Sequence, residues 1–304
     1  TLGGESAAIQ LGAILGESAK TGINKLTFIF SDQLKSFGDW IEQLIAESTG
    51  KSGKGILPVV GEPAINSSSY SNDRLYVHIS LNSDLPESEL KIPYIHIILT
   101  DIYQLGGQFF LWEMVTAIAS HVLNIHPFNQ PNVESAKIVA REMVDAYIKN
   151  GKLPGGNAIS PSAEKLSTFL ANIVEGDYVS IQAYIAPTEE TSQAIQDLRA
   201  AISNKYRIPT TTGYGPRFLH STGQLHKGDQ GNGHFIQFVS ETNKDIPIPN
   251  NPGDNESSIS FGILKVSQAI GDAKALIKNG RQVISFSVTE NASDEIQSLA
   301  MALK

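Results

Sequence analysis

Apolar patterns of helical and of strand length alternate along the chain. Residues 6–20 repeat apolar side chains at helical spacing, and Gly22 follows where such a helix would end. Residues 25–30, KLTFIF, form an apolar run typical of a buried strand, and a second amphipathic helix at 37–50 precedes another apolar run at 55–60. This alternation favours βαβ units and predicts an α/β fold with a mainly parallel sheet.

The same alternation resumes after a segment of linker composition. Residues 150–162 contain two prolines and three glycines. A chain of 304 residues also exceeds the roughly 250 to 300 residues at which single hydrophobic cores usually split. We therefore predict a first domain at residues 1–150, a linker with a short helix at 151–175, and a second α/β domain at 176–304.

Further elements follow from the same periodicities. Strands are predicted at residues 75–81, 94–99, 178–185, 234–240 and 282–288. Helices are predicted at residues 108–123, 131–149, 163–174, 188–205 and 261–278, with a last one from residue 293. Two stretches show neither periodicity, so we expect turns at 209–233 and an exposed excursion at 242–258.

Charge and cysteine content exclude several classes of function. The formal net charge is −8 at pH 7 and no basic run offsets it, so nucleic acid is not an expected partner. The chain has no cysteine, which excludes disulfides, a thiolate nucleophile and a cysteine-based metal site. His78 and His96 lie inside strand patterns, and no Walker or complete dinucleotide-binding motif is present. We therefore expect neither a metal nor another cofactor.

No segment has the composition of a membrane anchor or of a secretion signal. The apolar stretch 109–122 is interrupted by Glu113 and Thr116 and falls short of the roughly 20 apolar residues that a membrane span needs. Residues 1–5, TLGGE, lack an initiator methionine and a basic segment followed by an apolar one. We expect no membrane association, a cytoplasmic location, and a chain that was processed or cut from something longer.

Two strings in the first domain carry a family resemblance. Residues 128–137 read FNQPNVESAK, which resembles the phosphoglucose isomerase signature Phe-Asp-Gln-x-Gly-Val-Glu-x-x-Lys, with Asn129 and Asn132 as departures. Residues 42–51 read EQLIAESTGK, which is similar to the Gln-x-x-x-Glu-Ser-x-Gly-Lys element of the same family. Together with the order of strands, the resemblance covers about residues 5 to 150. It implies the fold of that family, a three-layer sugar-isomerase (SIS-like) sandwich.

The resemblance implies roles for four side chains. Glu47 is implied to be the base that moves a proton between C1 and C2 of the open-chain sugar, and Lys137 to assist ring opening. Gln43 and Gln130 match substrate-contacting glutamines. Each residue also has a structural alternative: Glu47 as a surface charge, Lys137 as an exposed helix pair with Glu134, and the glutamines as surface amides.

A third string lies in the second domain. Residues 215–228 read GPRFLHSTGQLHKG, and their His-Ser-x-x-Gln-Leu part is similar to the histidine element of the family. The resemblance implies that His220 opens the sugar ring by protonating the ring oxygen, which suits a side chain that titrates near neutral pH. Arg217 and Lys227 could bind a phosphate group there. The alternative for His220 is a histidine without catalytic role in a glycine-rich loop.

The position of this third string points to a subgroup of the family. In stand-alone isomerases the histidine element precedes the Phe-Asp-Gln signature, whereas in this chain it follows it. That order, and the string 214–228, resemble the isomerase part of bifunctional transaldolase/glucose-6-phosphate isomerases. The acid for the first domain is then supplied by the second domain or by a neighbouring subunit, as in a homodimer.

Two family elements are missing from the sequence. The Gly-Gly-Arg element, whose arginine stabilises the enediolate, and the Ser/Thr-rich phosphate cradle both precede the matched region in the family, and neither occurs here. Preorganised positive charge is often the largest catalytic contribution, so we expect an incomplete fragment that lacks the N-terminal half of the enzyme. The isolated chain should therefore isomerise sugar phosphates only weakly.

The sequence leaves two functions open. The first is an aldose–ketose isomerase module that interconverts glucose 6-phosphate and fructose 6-phosphate, with Glu47, Lys137 and Gln130 in one cleft at the carboxyl edge of the parallel strands. The second is a non-catalytic sugar-phosphate-binding or dimerisation module of the same fold. The place of Glu47 distinguishes them, because only the first needs this carboxylate beside a substrate cleft.

Overall fold

The chain folds around two four-stranded sheets, in which every pairing between neighbouring strands is parallel. The computed structural model describes residues 6–63, 71–82, 94–156, 158–240 and 244–304. The prediction of an α/β fold with mainly parallel sheets is confirmed. Residues 1–5, on which the expectation about the N-terminus rests, lie outside the described part.

The described residues of the first half form four α-helices and four strands. They are α1 (Ala7–Lys20), β1 (Lys25–Phe30), α2 (Phe37–Thr49), β2 (Leu57–Val59), β3 (Arg74–Leu81), β4 (Tyr94–Leu99), α3 (Leu105–Val122) and α4 (Val133–Asn150). The strand order is β2-β1-β3-β4. Helices α1, α2 and α3 cover one face of this sheet, where Phe28 packs edge-on against the buried Trp112 with ring centroids 5.1 Å apart.

The second half contributes the other sheet. Its elements are α5 (Ala163–Leu170), β5 (Tyr178–Tyr184), α6 (Glu189–Tyr206), β6 (Thr210–Tyr214), α7 (Gly223–Gly228), β7 (Gly233–Ser240), β8 (Pro247–Ile248), β9 (Ile259–Ser260), α8 (Phe261–Lys278), β10 (Gln282–Val288) and α9 (Ala292–Leu303). The order is β10-β7-β5-β6. Helices α5, α6 and α9 pack on one face of this sheet, and α7 and α8 pack on the other.

The turn-rich stretch predicted at 209–233 is more regular than its sequence indicates. It contains strand β6, a 3-10 turn (Arg217–His220) and helix α7. The sequence missed these pieces because α7 is only six residues long and because TTTGY in β6 shows no alternation of apolar and polar residues. The stretch 242–258, whose first two residues lie outside the described part, contains strand β8. This strand pairs in an antiparallel ladder with β9, which directly follows the stretch.

The two sheets are joined by a mixed apolar and polar contact. Leu57 and Val59 of β2 share a buried apolar cluster with Tyr178 of β5. The fully buried Arg199 of α6 donates hydrogen bonds from Nη1 to the carbonyl of Gly61, at 2.6 Å, and from Nη2 to that of Val60. A buried guanidinium without such acceptors would be costly, so this contact fixes how the halves sit against each other.

Helix α4 also crosses between the halves of the chain. It follows the first sheet in sequence and packs along α8 of the second half. The division into domains at residues 150 to 175 remains a prediction. Among the described residues, no helix is both long and apolar enough to cross a membrane.

Candidate active site

Helix α2 places Gln43 and Glu47 one turn apart on the same side. The helix forms because Ile41 and Ile45 recur at helical spacing and are buried against the first sheet. Residues four apart on a helix are neighbours, and Gln43 Nε2 lies 3.4 Å from Glu47 Oε2, to which it donates a long hydrogen bond. The sequence spacing alone therefore determines that this amide accompanies this carboxylate.

Glu47 opens onto a cavity of about 330 Å³, which we call the Glu47 cavity. Its walls come from α2, from α3 and from the loop before α4. The lining residues are Trp40, Gln43, Leu44, Glu47, Ser48, Glu113, Pro127, Phe128 and Gln130. Three of the residues singled out in the sequence, Gln43, Glu47 and Gln130, thus share one cavity.

Burial alters the acidity of Glu47. Partial burial raises the pKa of its carboxyl, and three weaker effects oppose this: the hydrogen bond from Gln43 and the charges of His220 and Lys51. A carboxylate with a raised pKa is a stronger base when it ionises, which is what proton abstraction from carbon requires. His220, from the second half of the chain, thus acts on Glu47 through its charge.

His220 lines a second cavity, of about 410 Å³, which we call the His220 cavity. It lies between α4, α8 and the segment that holds the 3-10 turn and α7. The lining residues are Lys137, Ala140, Arg141, Val144, Asp145, Leu219, His220, Gly223, Lys227, Ile259, Leu264 and Gln268. Lys137 and His220 therefore line the same cavity, whereas Glu47 and Gln130 line the other one. The alternative, an exposed pair of Lys137 with Glu134, stays a prediction, because the side chain of Glu134 lies outside the described part.

Arg217 lies beside a different carboxylate. Its charge acts on Glu42 of α2, and burial, reinforced by the nearby Asp39, raises the pKa of Glu42 to about 7. Arg217 and Arg199 both lower that pKa, but burial dominates. The exposed guanidinium of Arg217 is therefore partly engaged within the protein.

Lys227 does not fit the expectation of a phosphate ligand. Its ammonium forms an ion pair with the fully buried Asp272 of α8 at 2.5 Å, and its side chain is 2% exposed. The charge of Lys227 is therefore compensated inside the protein. Because the ammonium of Lys227 balances the buried carboxylate of Asp272, it is not available to bind an anion.

Glu47 does not lie at the edge of the first sheet that we expected. Strands β1 and β2 are parallel and α2 connects them, so this helix runs back from the carboxyl edge to the amino edge of the sheet. Glu47 lies near the end of α2 and hence near the amino edge. Glu47 thus lies at the edge opposite to the one at which open α/β sheets usually bind ligands, and α7 of the second half packs against α2.

A buried lysine holds the loop that carries Gln130. Lys51 is 2% exposed, and its Nζ donates hydrogen bonds to the carbonyl of His126, at 3.1 Å, and to that of Asn129. Burial lowers the pKa of Lys51 and the charge of Glu47 raises it again. Lys51 thus joins the end of α2 to the loop before α4.

Sequence reasoning overlooked several residues at this site. The string 42–51 also contains Lys51 and Glu42, yet the resemblance implies roles only for Gln43 and Glu47. Glu113 was noted only as an interruption of an apolar stretch. Gln224 belonged to the histidine string and also received no role. Within the described ranges, no cluster of three or more histidine or carboxylate side chains could hold a metal ion.

Comparison with known proteins gives a partial similarity in sequence. No protein-family model matches the chain. A probable glucose-6-phosphate isomerase of Methanococcus maripaludis is 29% identical over an alignment covering 37% of this chain and 35% of that protein. Glucose-6-phosphate isomerases of Methanocaldococcus jannaschii and Heliobacterium modesticaldum are 26% and 24% identical over 38% and 37% of this chain. The alignments span only 35 to 39% of the length of these relatives.

Solved structures give a weaker likeness. A hypothetical protein from Thermus thermophilus aligns over 99% of this chain and 85% of its own, with 13% identity and a TM-score of 0.35. A glucose-6-phosphate isomerase from Chlamydia trachomatis aligns over 100% of this chain and 69% of its own, with 12% identity and a TM-score of 0.28. Both TM-scores are below 0.5, so neither structure supports a statement about this chain. Over part of its length, the chain is similar in sequence to proteins named glucose-6-phosphate isomerase.

Proposed function

We propose that this chain is an aldose–ketose isomerase module that interconverts glucose 6-phosphate and fructose 6-phosphate. The observation that carries the proposal is the Glu47 cavity, where a carboxyl with a raised pKa lies with Gln43 and Gln130. The similarity to proteins named glucose-6-phosphate isomerase supports the choice of substrates.

Glu47 is the proposed base. It takes the proton from C2 of the open-chain aldose while the oxygen on C1 gains a proton, which gives a cis-enediol. It then returns its proton to C1 while the hydroxyl on C2 loses one, so that the net change moves one hydrogen from C2 to C1 and one from the C2 oxygen to the C1 oxygen. Its raised pKa supports this role, because such a carboxyl can hold the proton between the two steps. Gln43 and Gln130 are suited to hydrogen-bond the hydroxyl groups of the sugar in the same cavity.

His220 and Lys137 are proposed to open the ring. His220 donates a proton to the ring oxygen, so that the closed sugar becomes the open chain on which Glu47 acts. Both side chains line the His220 cavity, and the effect of the His220 charge on the pKa of Glu47 supports a shared site. Arg217 is a further candidate for substrate binding, because its side chain remains exposed.

We further propose that the module works as part of a bifunctional transaldolase/glucose-6-phosphate isomerase. The string 214–228 and its place after residues 128–137 support this assignment. An N-terminal half then supplies the enediolate-stabilising arginine and the phosphate cradle, and a homodimer is the expected assembly. Determining the mass of the complete gene product tests this point, since a mass near the 32.8 kDa of this chain would contradict it.

The experiment for the proposed function is exchange of the C2 proton. Fructose 6-phosphate and glucose 6-phosphate are incubated in deuterated water with the complete gene product and with the isolated chain. Deuterium at C2 of glucose 6-phosphate is the expected result for the complete protein, with much slower exchange for the isolated chain. Binding of the sugar phosphates without any exchange in the complete protein would indicate the non-catalytic binding module instead.

A further inference from the structure

Gln224 is a fully buried amide at the junction of three chain segments. It belongs to α7 and its side chain is 0% exposed. Its Nε2 donates to the carbonyl of Gly50 at 2.8 Å and to Oδ1 of Asn132 at 2.8 Å. Its Oε1 accepts from the backbone amide of Asn132 at 3.0 Å. Both hydrogens and the oxygen of the amide are therefore used.

Each of these segments carries a residue of the proposed site. Gly50 follows the end of α2, three residues after Glu47. Asn132 lies between Gln130 and the start of α4, which bears Lys137. Gln224 itself stands four residues after His220. One side chain thus joins the segment of the proposed base, the segment of the substrate-binding glutamine and the segment of the proposed acid.

The surroundings of Gln224 leave little freedom. A Cβ added to Gly50 would lie 2.2 Å from Cα of Leu225, so α7 and the end of α2 are in backbone contact. A Cβ added to Gly228 would lie 2.4 Å from the carbonyl oxygen of Gly50 and 2.9 Å from Nε2 of Gln224. The amide of Gly53 also donates to the carbonyl of Gly228 at 2.9 Å. Gly50, Gly228 and this backbone hydrogen bond bring α7 close to the end of α2. The amide of Gln224 can therefore reach both Gly50 and Asn132.

The chemistry of the contact requires an uncharged amide. Two oxygen acceptors face Nε2 and one N–H faces Oε1, so a group with two donors and one acceptor is needed. A carboxylate at this position would place an oxygen against the carbonyl of Gly50 and against Oδ1 of Asn132. A protonated carboxyl group would restore the acceptor and one of the two donors.

We propose that Gln224 is a positioning residue of the isomerase site, which fixes Glu47, Gln130 and His220 relative to one another. This inference rests on the proposed function. Gln224 acts through the segments that it joins and need not touch the substrate. Displacing catalytic groups by about 1 Å can cost 100-fold in rate, so loss of this junction should lower turnover more than it lowers substrate affinity.

The test compares three variants with the unchanged complete protein. Gln224→Met removes the junction, Gln224→Glu makes it depend on protonation, and Gln182→Met is the control. Gln182 is also 0% exposed, but its side chain accepts from Gln237 inside the second sheet and, among the described residues, hydrogen-bonds none of the three segments. The control therefore reports the general effect of losing a buried amide.

The readouts are amide hydrogen exchange at Asn132, kcat, KM and the pH profile. For Gln224→Met we expect exchange at Asn132 to accelerate at least about tenfold, and kcat to fall about 10- to 100-fold with a smaller change in KM. For Gln224→Glu the activity relative to the unchanged protein should be partly retained at low pH, where the carboxyl restores one of the two donors, and lost as the carboxyl ionises. The Gln182→Met control should show neither effect.

Three outcomes decide the matter. Unchanged kcat in a folded Gln224→Met variant of an active enzyme would overturn the positioning role. Unchanged exchange at Asn132 would overturn the junction itself. If the unchanged protein exchanges no C2 proton, the proposed function fails and the catalytic part of this inference fails with it, while the exchange rate at Asn132 still decides whether Gln224 joins the segments.

Discussion

Glu47 and His220 come from different halves of the chain, and the charge of the imidazole lowers the pKa of a carboxyl that burial raises. Helix α2 packs against α7, which follows the 3-10 turn that ends at His220. The charge of the proposed proton donor in one half of the fold thereby acts on the proposed base in the other half. The proposed division of labour between them leads to the first two predictions.

Replacement of the base should stop proton transfer but leave ring opening intact. Glu47→Gln keeps the shape of the side chain and removes its ability to accept the proton from C2. We expect a loss of about 100- to 10,000-fold in C2 proton exchange in the complete protein. Opening of the sugar ring, followed by NMR exchange between anomers, should persist. An equal loss of both steps would contradict the assignment.

Replacement of the acid should have the converse effect. His220→Ala removes the proposed proton donor to the ring oxygen, so turnover of the closed-ring substrate should fall about 100- to 10,000-fold. Exchange of the C2 proton should continue for the fraction of substrate that is already open. The measurement is a comparison of initial rates with equilibrated and with largely open-chain substrate. Retention of full activity on the closed ring would remove His220 from the mechanism.

The hydrogen bond from Gln43 should set the acid limb of the pH profile. A base works only when ionised, and burial raises the pKa of Glu47, so activity should fall on acidification at a higher pH than for an ordinary glutamate. The bond from Gln43 lowers that pKa, so Gln43→Leu should move the acid limb of kcat/KM to still higher pH.

A matched control exists for this prediction. Gln193 makes the same kind of contact on α6, where its Nε2 donates to Asp197 at 3.0 Å. Gln193→Leu should leave the pH profile unchanged. An acid limb that moves to lower pH in Gln43→Leu would show that Glu47 is not the titrating group.

Glu42 should make the stability of the fold depend on pH. Burial raises its pKa from an ordinary 4.5 to about 7 in the folded state, so folding favours the protonated form. The stability that this provides is complete below the unfolded pKa and is lost as pH rises through about 7. Glu42→Gln should therefore raise the free energy of unfolding at pH 8, by roughly 1 to 3 kcal/mol, and change it little at pH 4.5.

Denaturant unfolding at several pH values measures this difference. Asp39 raises the pKa of Glu42, so Asp39→Asn serves as a second variant and should shift the pH dependence toward lower pH. A Glu42→Gln protein that is less stable at pH 8 than the unchanged protein would show that the ionised carboxylate stabilises the fold.

Loss of the buried lysine should release the loop that carries Gln130. Lys51→Met leaves the carbonyls of His126 and Asn129 without their buried donor, which should cost about 1 to 3 kcal/mol in the free energy of unfolding and raise KM. Lys54→Met is the control, because Lys54 is exposed and its Nζ donates to the carbonyl of Leu123, at 2.7 Å, and not to the loop that carries Gln130 in the described part. An equal effect of the two substitutions on KM would argue against a specific role of Lys51.

Much of the fold followed from local patterns. The predicted strand 25–30 and the helix 261–278 coincide with β1 and α8, because both depend on periodicities that neighbouring residues define. Short elements escaped prediction: α7, with six residues, is stabilised by burial against α2 and α8 rather than by its own length. It nevertheless carries Gln224 and begins three residues after His220.

The sequence by itself determined that Gln43 and Glu47 share a side of a helix, since four-residue spacing depends only on helix geometry. It did not determine that Glu47 lies near the amino edge of its sheet, that the charge of His220 acts on it, or that Gln224 joins three segments. These features depend on contacts between residues far apart in the chain. The raised pKa of Glu47 likewise depends on burial and neighbouring charges, which only the tertiary structure brings together.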